Sequence, residues 1–189
     1  MQKIMFNEPF GLQDASIDGS KTMTRRAVPE RTQRDGLVYA ANHPNDEKAY
    51  ERYLLEHAPY KVGEVVAIAQ RYRDIVPPLD NKNIVWTGRG WNNKMYVKAE
   101  VMPKHIRILD VKVEGLAGIS DEDCLREGII DTGCGYTCYR KGVLPLFRTP
   151  YAAFKALIDK LNRRGFFESN PIVYAYTFEY VNDFSKLNE

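Results

Sequence analysis

The chain has 189 residues, 44% of them hydrophobic and 28% charged, with a formal net charge of +2 at pH 7. Those values fit one globular domain with a sizeable core, spanning residues 1–189. They exclude a polycation that grips nucleic acid by charge excess alone, and no apolar run approaches the eighteen or so residues of a membrane span. The N-terminal "MQKIMFNEPF" lacks the apolar stretch of a secretory signal, so a cytoplasmic location and no membrane partner are expected.

In chain order, "KIMF" reads as a short first strand. "GLQDASIDG" reads as a short helix with Gly19 just past its end. Residues 27–58 look like an insertion. Tyr50, Tyr53, Leu54 and His57 are at helical spacing in its second half. "EVVAIAQRY" is strand-like. A second insertion covers about 74–93: adjacent prolines make "DIVPPLDNKN" a loop, and "NIVWTGRGWNNKMYVKAEV" predicts a hairpin or two short strands around Gly88–Asn93.

"HIRILDVKVEGL" is the longest strand candidate, and its apolar parity flips between Ile108 and Leu109. A one-residue slip reverses every side chain, so the flip implies a bulge or a strand buried on both faces. Without a bulge, Asp110 turns toward the apolar side and needs a cationic partner. With one, it faces water. The residues alone favour the second.

"SDEDCLREG" predicts a short helix capped by Ser120 with Asp123 and ended by Gly128. "TPYAAFKALIDKLNRRG" is the clearest helix. Thr149 caps it, Pro150 opens it, and Tyr151, Phe154, Leu157, Ile158 and Leu161 form one stripe. "NPIVYAYTFEYV" is a final strand. Five or six strands that do not alternate regularly with helices predict an α+β fold: a small β-barrel with peripheral helices.

Cys124, Cys134 and Cys138 are an odd count, which predicts free thiols. "CGYTC" has three intervening residues and no histidine at ligand spacing, so it reads as a loop with no metal. No cofactor is expected.

"GSKTMTRR" carries Gly19, Lys21, Thr24 and Arg26. It resembles the Gly-x-Lys-x-x-Glu-x-Arg motif of the ASCH family, a branch of the PUA-like superfamily, with Thr24 in place of the glutamate. "YKVGEVVAI", "ILDVKVEGLAGISDEDCLREGI" and "NPIVYAYTFEYV" extend the resemblance, in that order, to the larger ASCH proteins often carried by phages and prophages. Residues 103–106, "PKHI", stand where those relatives have a segment like Ala-Ser-Arg-Ile. The resemblance implies a PUA-like β-barrel that binds RNA or a nucleotide. One branch shares the Lys-Thr-x-Thr-x-Arg pattern seen here and hydrolyses the acetyl amide of acetylated cytidine with a lysine, a threonine and a glutamate. Lys21 and Thr24 match the first two. Asp110, in "LDV", is the best counterpart of the third.

Amide hydrolysis needs a nucleophile, a base and an oxyanion stabiliser. Thr24 would be the nucleophile. Either Lys21 with a lowered pKa is the base, or Asp110 takes the proton and charged Lys21 holds the oxyanion. Arg26 would orient these groups or grip a phosphate. Arg71, Trp86, Arg89 and Trp91, with Arg73, Lys94, Tyr96, Lys98, Lys104, Arg107, Arg140 and Lys141, offer cations interleaved with aromatics for an unstacked base. Three functions are therefore expected, in this order. The first is an ASCH-type protein binding RNA or a modified nucleoside in a polar cavity near Gly19, Lys21 and Arg26. The second is an amidohydrolase of acylated cytidine. The third is a phage-associated adaptor that binds another protein.

Overall fold

Two long antiparallel strands organise the chain, β4 (His105–Gly115) and β7 (Ile172–Val181). The structure, a computed structural model, describes residues 1–75, 88–140 and 142–181. Around the long pair lie β1 (Lys3–Ile4), α1 (Leu12–Ile17), β2 (Met23–Ala27), α2 (Glu30–Ala41), α3 (Ala49–Glu56), β3 (Val65–Ile68), α4 (Tyr72–Ile75), α5 (Asp121–Arg126), β5 (Ile129–Asp131), β6 (Tyr136–Cys138) and α6 (Pro150–Leu161). Five strands form a mixed sheet in the order β1-β3-β4-β7-β2, and β5 pairs with β6 in a separate hairpin.

The parity flip in β4 is a bulge. Register shifts between Ile108 and Asp110, which leaves Leu109 as the extra residue. Ile106, Ile108, Val111 and Val113 thereby share one sheet face with Tyr174, Tyr176 and Phe178 of β7. Ile4, Val66 and Ile68 join that face from β1 and β3 and are buried. Asp110 and Lys112 take the opposite, polar face.

Caps act where the side-chain chemistry predicts. The Ser120 hydroxyl accepts from the Asp123 N–H at 3.1 Å, and Thr149 accepts from Ala152 at 3.1 Å. In α6, Phe154 and Leu157 are fully buried while Tyr151, Ile158 and Leu161 are partly so. Residues 27–58 hold two helices, α2 and α3, packed on each other. Leu54 of α3 is fully buried, and its carbonyl accepts from the Tyr174 hydroxyl at 3.0 Å.

Three expectations are corrected. The sheet does not close into a barrel: among the described residues no ladder joins β1 to β2. Strand β1 is two residues long and leads into a turn at 7–11, and the Arg26 side chain reaches across the gap to donate to the Met5 carbonyl at 2.5 Å. The described part of the expected hairpin, residues 88–101, forms three 3₁₀ turns instead of strands. Asn93 accepts from the Met95 N–H at 2.9 Å, a local bond that starts a turn, and a Cβ on Gly90 would meet the Tyr72 ring at 2.5 Å. "CGYTC" is half strand: Tyr136–Cys138 is β6, reached through the tight turn at 132–135. The three thiols are free, and burial pushes Cys124 up to about 12. No helix among the described residues is long and apolar enough to cross a membrane.

Substitutions on either side of the bulge test its placement. Ile108→Ala should cost about 2–5 kcal/mol of unfolding free energy and Leu109→Ala less than about 0.5 kcal/mol, both read by urea denaturation. Equal costs would contradict the assigned register.

Candidate functional site

Strand β2 is an edge strand, and its hydrogen bonds to β7 use alternate residues. The Phe178 N–H donates to the Thr22 carbonyl at 2.8 Å, and the Val28 N–H donates to Ile172 at 2.9 Å. With the register Thr24↔Tyr176 and Arg26↔Tyr174, residues 22, 24, 26 and 28 turn their peptide groups toward β7. The N–H and C=O groups of Met23, Arg25 and Ala27 turn outward.

The Met23 carbonyl is taken by Lys21. The Lys21 ammonium is buried, with 2% of its side chain exposed, and donates to three acceptors: the Met23 carbonyl at 2.6 Å, the Glu127 carbonyl at 2.7 Å and Glu127 Oε2 at 2.7 Å. Glu127 follows α5 and is itself 5% exposed. Its other oxygen receives Arg25 Nη1 at 3.2 Å. Arg25 also holds Glu114 of β4, through Nε at 2.8 Å, and Asp123 of α5, through Nη2 at 2.9 Å. Burial pushes the Lys21 pKa below its ordinary value. Glu127 opposes that shift, while Arg26 and Arg25 add to it.

Two features place Lys21 against α5. The α1 helix ends at Asp18–Gly19, and the Lys21 N–H is fixed to the Ala15 carbonyl at 2.8 Å. Gly128 sits at φ +101°, and a Cβ there would lie 2.9 Å from Leu12 and 3.6 Å from the Lys21 side chain. Only glycine takes that backbone conformation without strain and leaves room for the lysine stem.

A cavity of about 600 Å³ opens along the outer edge of β2, in the seam where a barrel would have closed. Residues 24–27 of β2 form its floor. Residues 5–9, with Asn7 and Glu8 as their polar side chains, line it together with Arg71 and Lys94, and Phe154, Leu157, Ile158 and Leu161 of α6 form an apolar wall. Lys21, Arg25, Arg26, Arg71, Lys94, Glu8 and Glu127 are its charged lining residues, and among the described residues all of the cations but Arg26 are ion-paired. The Phe6 ring lies between Lys21 Nζ at 5.9 Å and the Arg26 guanidinium at 5.8 Å.

Of the residues singled out in the sequence, Lys21, Thr24, Arg26, Arg71 and Lys94 meet at this cavity. Gly19 does not line it. Gly19 is exposed at φ +82°, in a turn where Ser20 bonds Asp18. Asp110 stands half-exposed on the polar face, 3.6 Å from Lys112 Nζ, and does not line the cavity either. Arg89 is exposed over the Tyr96 ring at 5.5 Å, and Trp91 packs against the cluster around Tyr72. Trp86 and Lys141 lie outside the described residues. Other surface cations are engaged locally: Arg73 with Asn92, Lys104 over Tyr180, Arg107 with Glu179 and Arg140 with Asp14.

The carboxylate on Lys21 is therefore Glu127, which the sequence reading passed over. A signal for it exists in "CLREG". An acid at the C-terminal end of a helix opposes the helix dipole and calls for cations.

No family model and no curated protein matches the chain. Among solved structures, the crystal structure of protein EF3133 from Enterococcus faecalis V583, described by the family model DUF984, is similar with a TM-score of 0.41 at 13% identity. The match covers 100% of this chain and 81% of that one.

Two outcomes test the buried network. Glu127→Ala should destabilise the fold by about 3–5 kcal/mol, because it leaves the buried Lys21 ammonium without its bonded carboxylate, while Asp110→Asn should change stability by less than about 0.5 kcal/mol. Comparable losses would contradict the assignment of Glu127 as the partner. Lys21 should titrate below 10.5 by NMR of its side chain. The folded protein then releases that proton before the unfolded chain does, so this group's contribution to stability rises with pH over the interval between the two values. A Lys21 midpoint at or above 10.5 would contradict the reading.

Proposed function

We propose that the cavity receives one nucleoside-sized ligand, free or as an unstacked base of RNA, in the manner implied by the resemblance to ASCH-type, PUA-like proteins. The observation that carries this reading is the outward edge of β2. Arg25 and Ala27 offer backbone N–H and C=O groups to the cavity floor, and among the described residues no backbone partner takes them. A planar base carries donors and acceptors side by side on its rim and can pair with such an edge as a neighbouring strand would. The apolar wall of α6 supplies a surface for the ring. The cations opposite suit carbonyl oxygens or phosphate. The volume is within the range of small-molecule sites, about 300–1,000 Å³.

A second reading, hydrolysis of an acylated cytidine, draws on one observation: the buried Lys21, with its lowered proton affinity, and Thr24 line the same cavity. Thr24 would attack the amide carbonyl and pass its proton to Lys21 in its neutral, deprotonated form, with Glu127 beside it. The C–N bond would then break with that proton going to the departing N4 amine, and water would hydrolyse the acetyl-threonine ester to release acetate. Glu127 replaces Asp110 in this scheme.

Cytidine and N4-acetylcytidine should bind in equilibrium dialysis, and Ala27→Pro should weaken binding about tenfold with little loss of stability. That substitution deletes only an outward N–H on an edge strand. Acetate release lost in Thr24→Val would establish the hydrolase. Binding without release would leave the receptor, and neither binding nor release would leave the adaptor.

A further inference from the structure

At the mouth of the cavity a carboxylate of the chain already occupies an anion site. Glu8 follows β1, in a turn pinned by the Gly11 N–H on the Glu8 carbonyl at 2.8 Å and the Phe10 N–H on Asn7 Oδ1 at 3.0 Å. Its two carboxylate oxygens are held separately. Oε2 meets Arg71 Nη2 at 2.7 Å, and Oε1 meets Lys94 Nζ at 3.0 Å. All three residues line the cavity.

The two cations do not depend on Glu8 for their positions. Arg71 is anchored through Nε to Asp74 at 2.7 Å. Lys94 is anchored to the Phe6 carbonyl and to Gln13 Oε1 at 3.0 Å. The Glu8 carboxylate, by contrast, is held among the described residues by these two cations alone, and its backbone bonds do not involve the carboxylate. If its side chain swings out, a guanidinium and an ammonium stay fixed side by side, facing the cavity. A guanidinium fork beside an ammonium is suited to a phosphate group, which brings more oxygens than one carboxylate and, as a monoester, more charge.

We propose that Arg71 and Lys94 form a phosphate-ester subsite of the cavity, and that Glu8 closes it until a phosphorylated ligand displaces its carboxylate. The proposal rests on the nucleoside reading above for the rest of the ligand. It goes beyond that reading in separating nucleotides from nucleosides: Glu8 sets a competition that only a phosphate-bearing ligand overcomes.

The test uses the full chain at fixed low ionic strength, with calorimetric titration of inorganic phosphate, cytidine, cytidine 5′-monophosphate and the dinucleotide CpC. Glu8→Gln and Glu8→Ala should both tighten inorganic phosphate about five- to tenfold and leave cytidine unchanged. Adding Arg71→Gln to either variant should abolish the gain, with thermal unfolding confirming that each variant folds. A gain shared by cytidine 5′-monophosphate but not CpC assigns the subsite to a terminal monophosphate. A gain shared by both assigns it to the phosphodiester of RNA. Phosphate affinity unchanged in both Glu8 variants overturns the proposal. A phosphate gain in a protein that binds neither cytidine nor its monophosphate upholds the anion subsite and ends the nucleoside reading.

Discussion

A lysine that has lost its water must find its hydrogen bonds inside the protein, and Lys21 finds all three on two segments far apart in sequence. That bonding ties the start of edge strand β2 to the end of helix α5. Glu127 shares its carboxylate between Lys21 and Arg25, and Arg25 carries the connection on to β4 through Glu114. Loss of Glu127 would leave the buried Lys21 ammonium with two carbonyls and no bonded carboxylate, which makes the junction costly to disturb at that point. The floor of the cavity is one end of this junction.

The open edge of β2 follows from the same arrangement. A sheet that runs β1-β3-β4-β7-β2 leaves β1 and β2 as its two margins, and exposed margins invite pairing with other chains. Here the Met23 carbonyl is capped by the lysine, while Arg25 and Ala27 look into a cleft walled by α6 on one side and residues 5–9 on the other. An unpaired edge, a cationic lining and an apolar wall thus occur together because the barrel seam stays open.

Much of this was legible in the sequence. Strand β4 announced its bulge through the single break between Ile108 and Leu109, and the caps at Ser120 and Thr149 act as their chemistry predicts. Local signals of that kind survive folding, because the groups involved are neighbours in the chain. Lys21, Thr24, Arg26, Arg71 and Lys94 were singled out and do meet. The pairing of Lys21 with Glu127 was not legible: the end of a helix marks Glu127 as an acid that wants cations, but 106 residues separate the two and nothing local says which cation it meets. Asp110 was attractive as a strand carboxylate near matched residues, but the bulge that keeps the aliphatic face continuous puts it on the polar face. The turns at 88–101 were misread because strand propensity in that stretch yields to the Asn93 side chain and to the close contact of Gly90 with Tyr72. The strand order, and with it the open seam, depends on long-range pairing that no local pattern encodes.

The most direct measurement is the map of backbone amide shifts when cytidine is titrated into the isotopically labelled protein. Binding at the seam predicts that the Arg25 and Ala27 amides move first and furthest, with the Phe6 and Leu157 neighbourhoods following. Shifts centred instead on the exposed Arg89–Tyr96 surface, or a saturating interaction that leaves both β2 amides unmoved, would contradict the account.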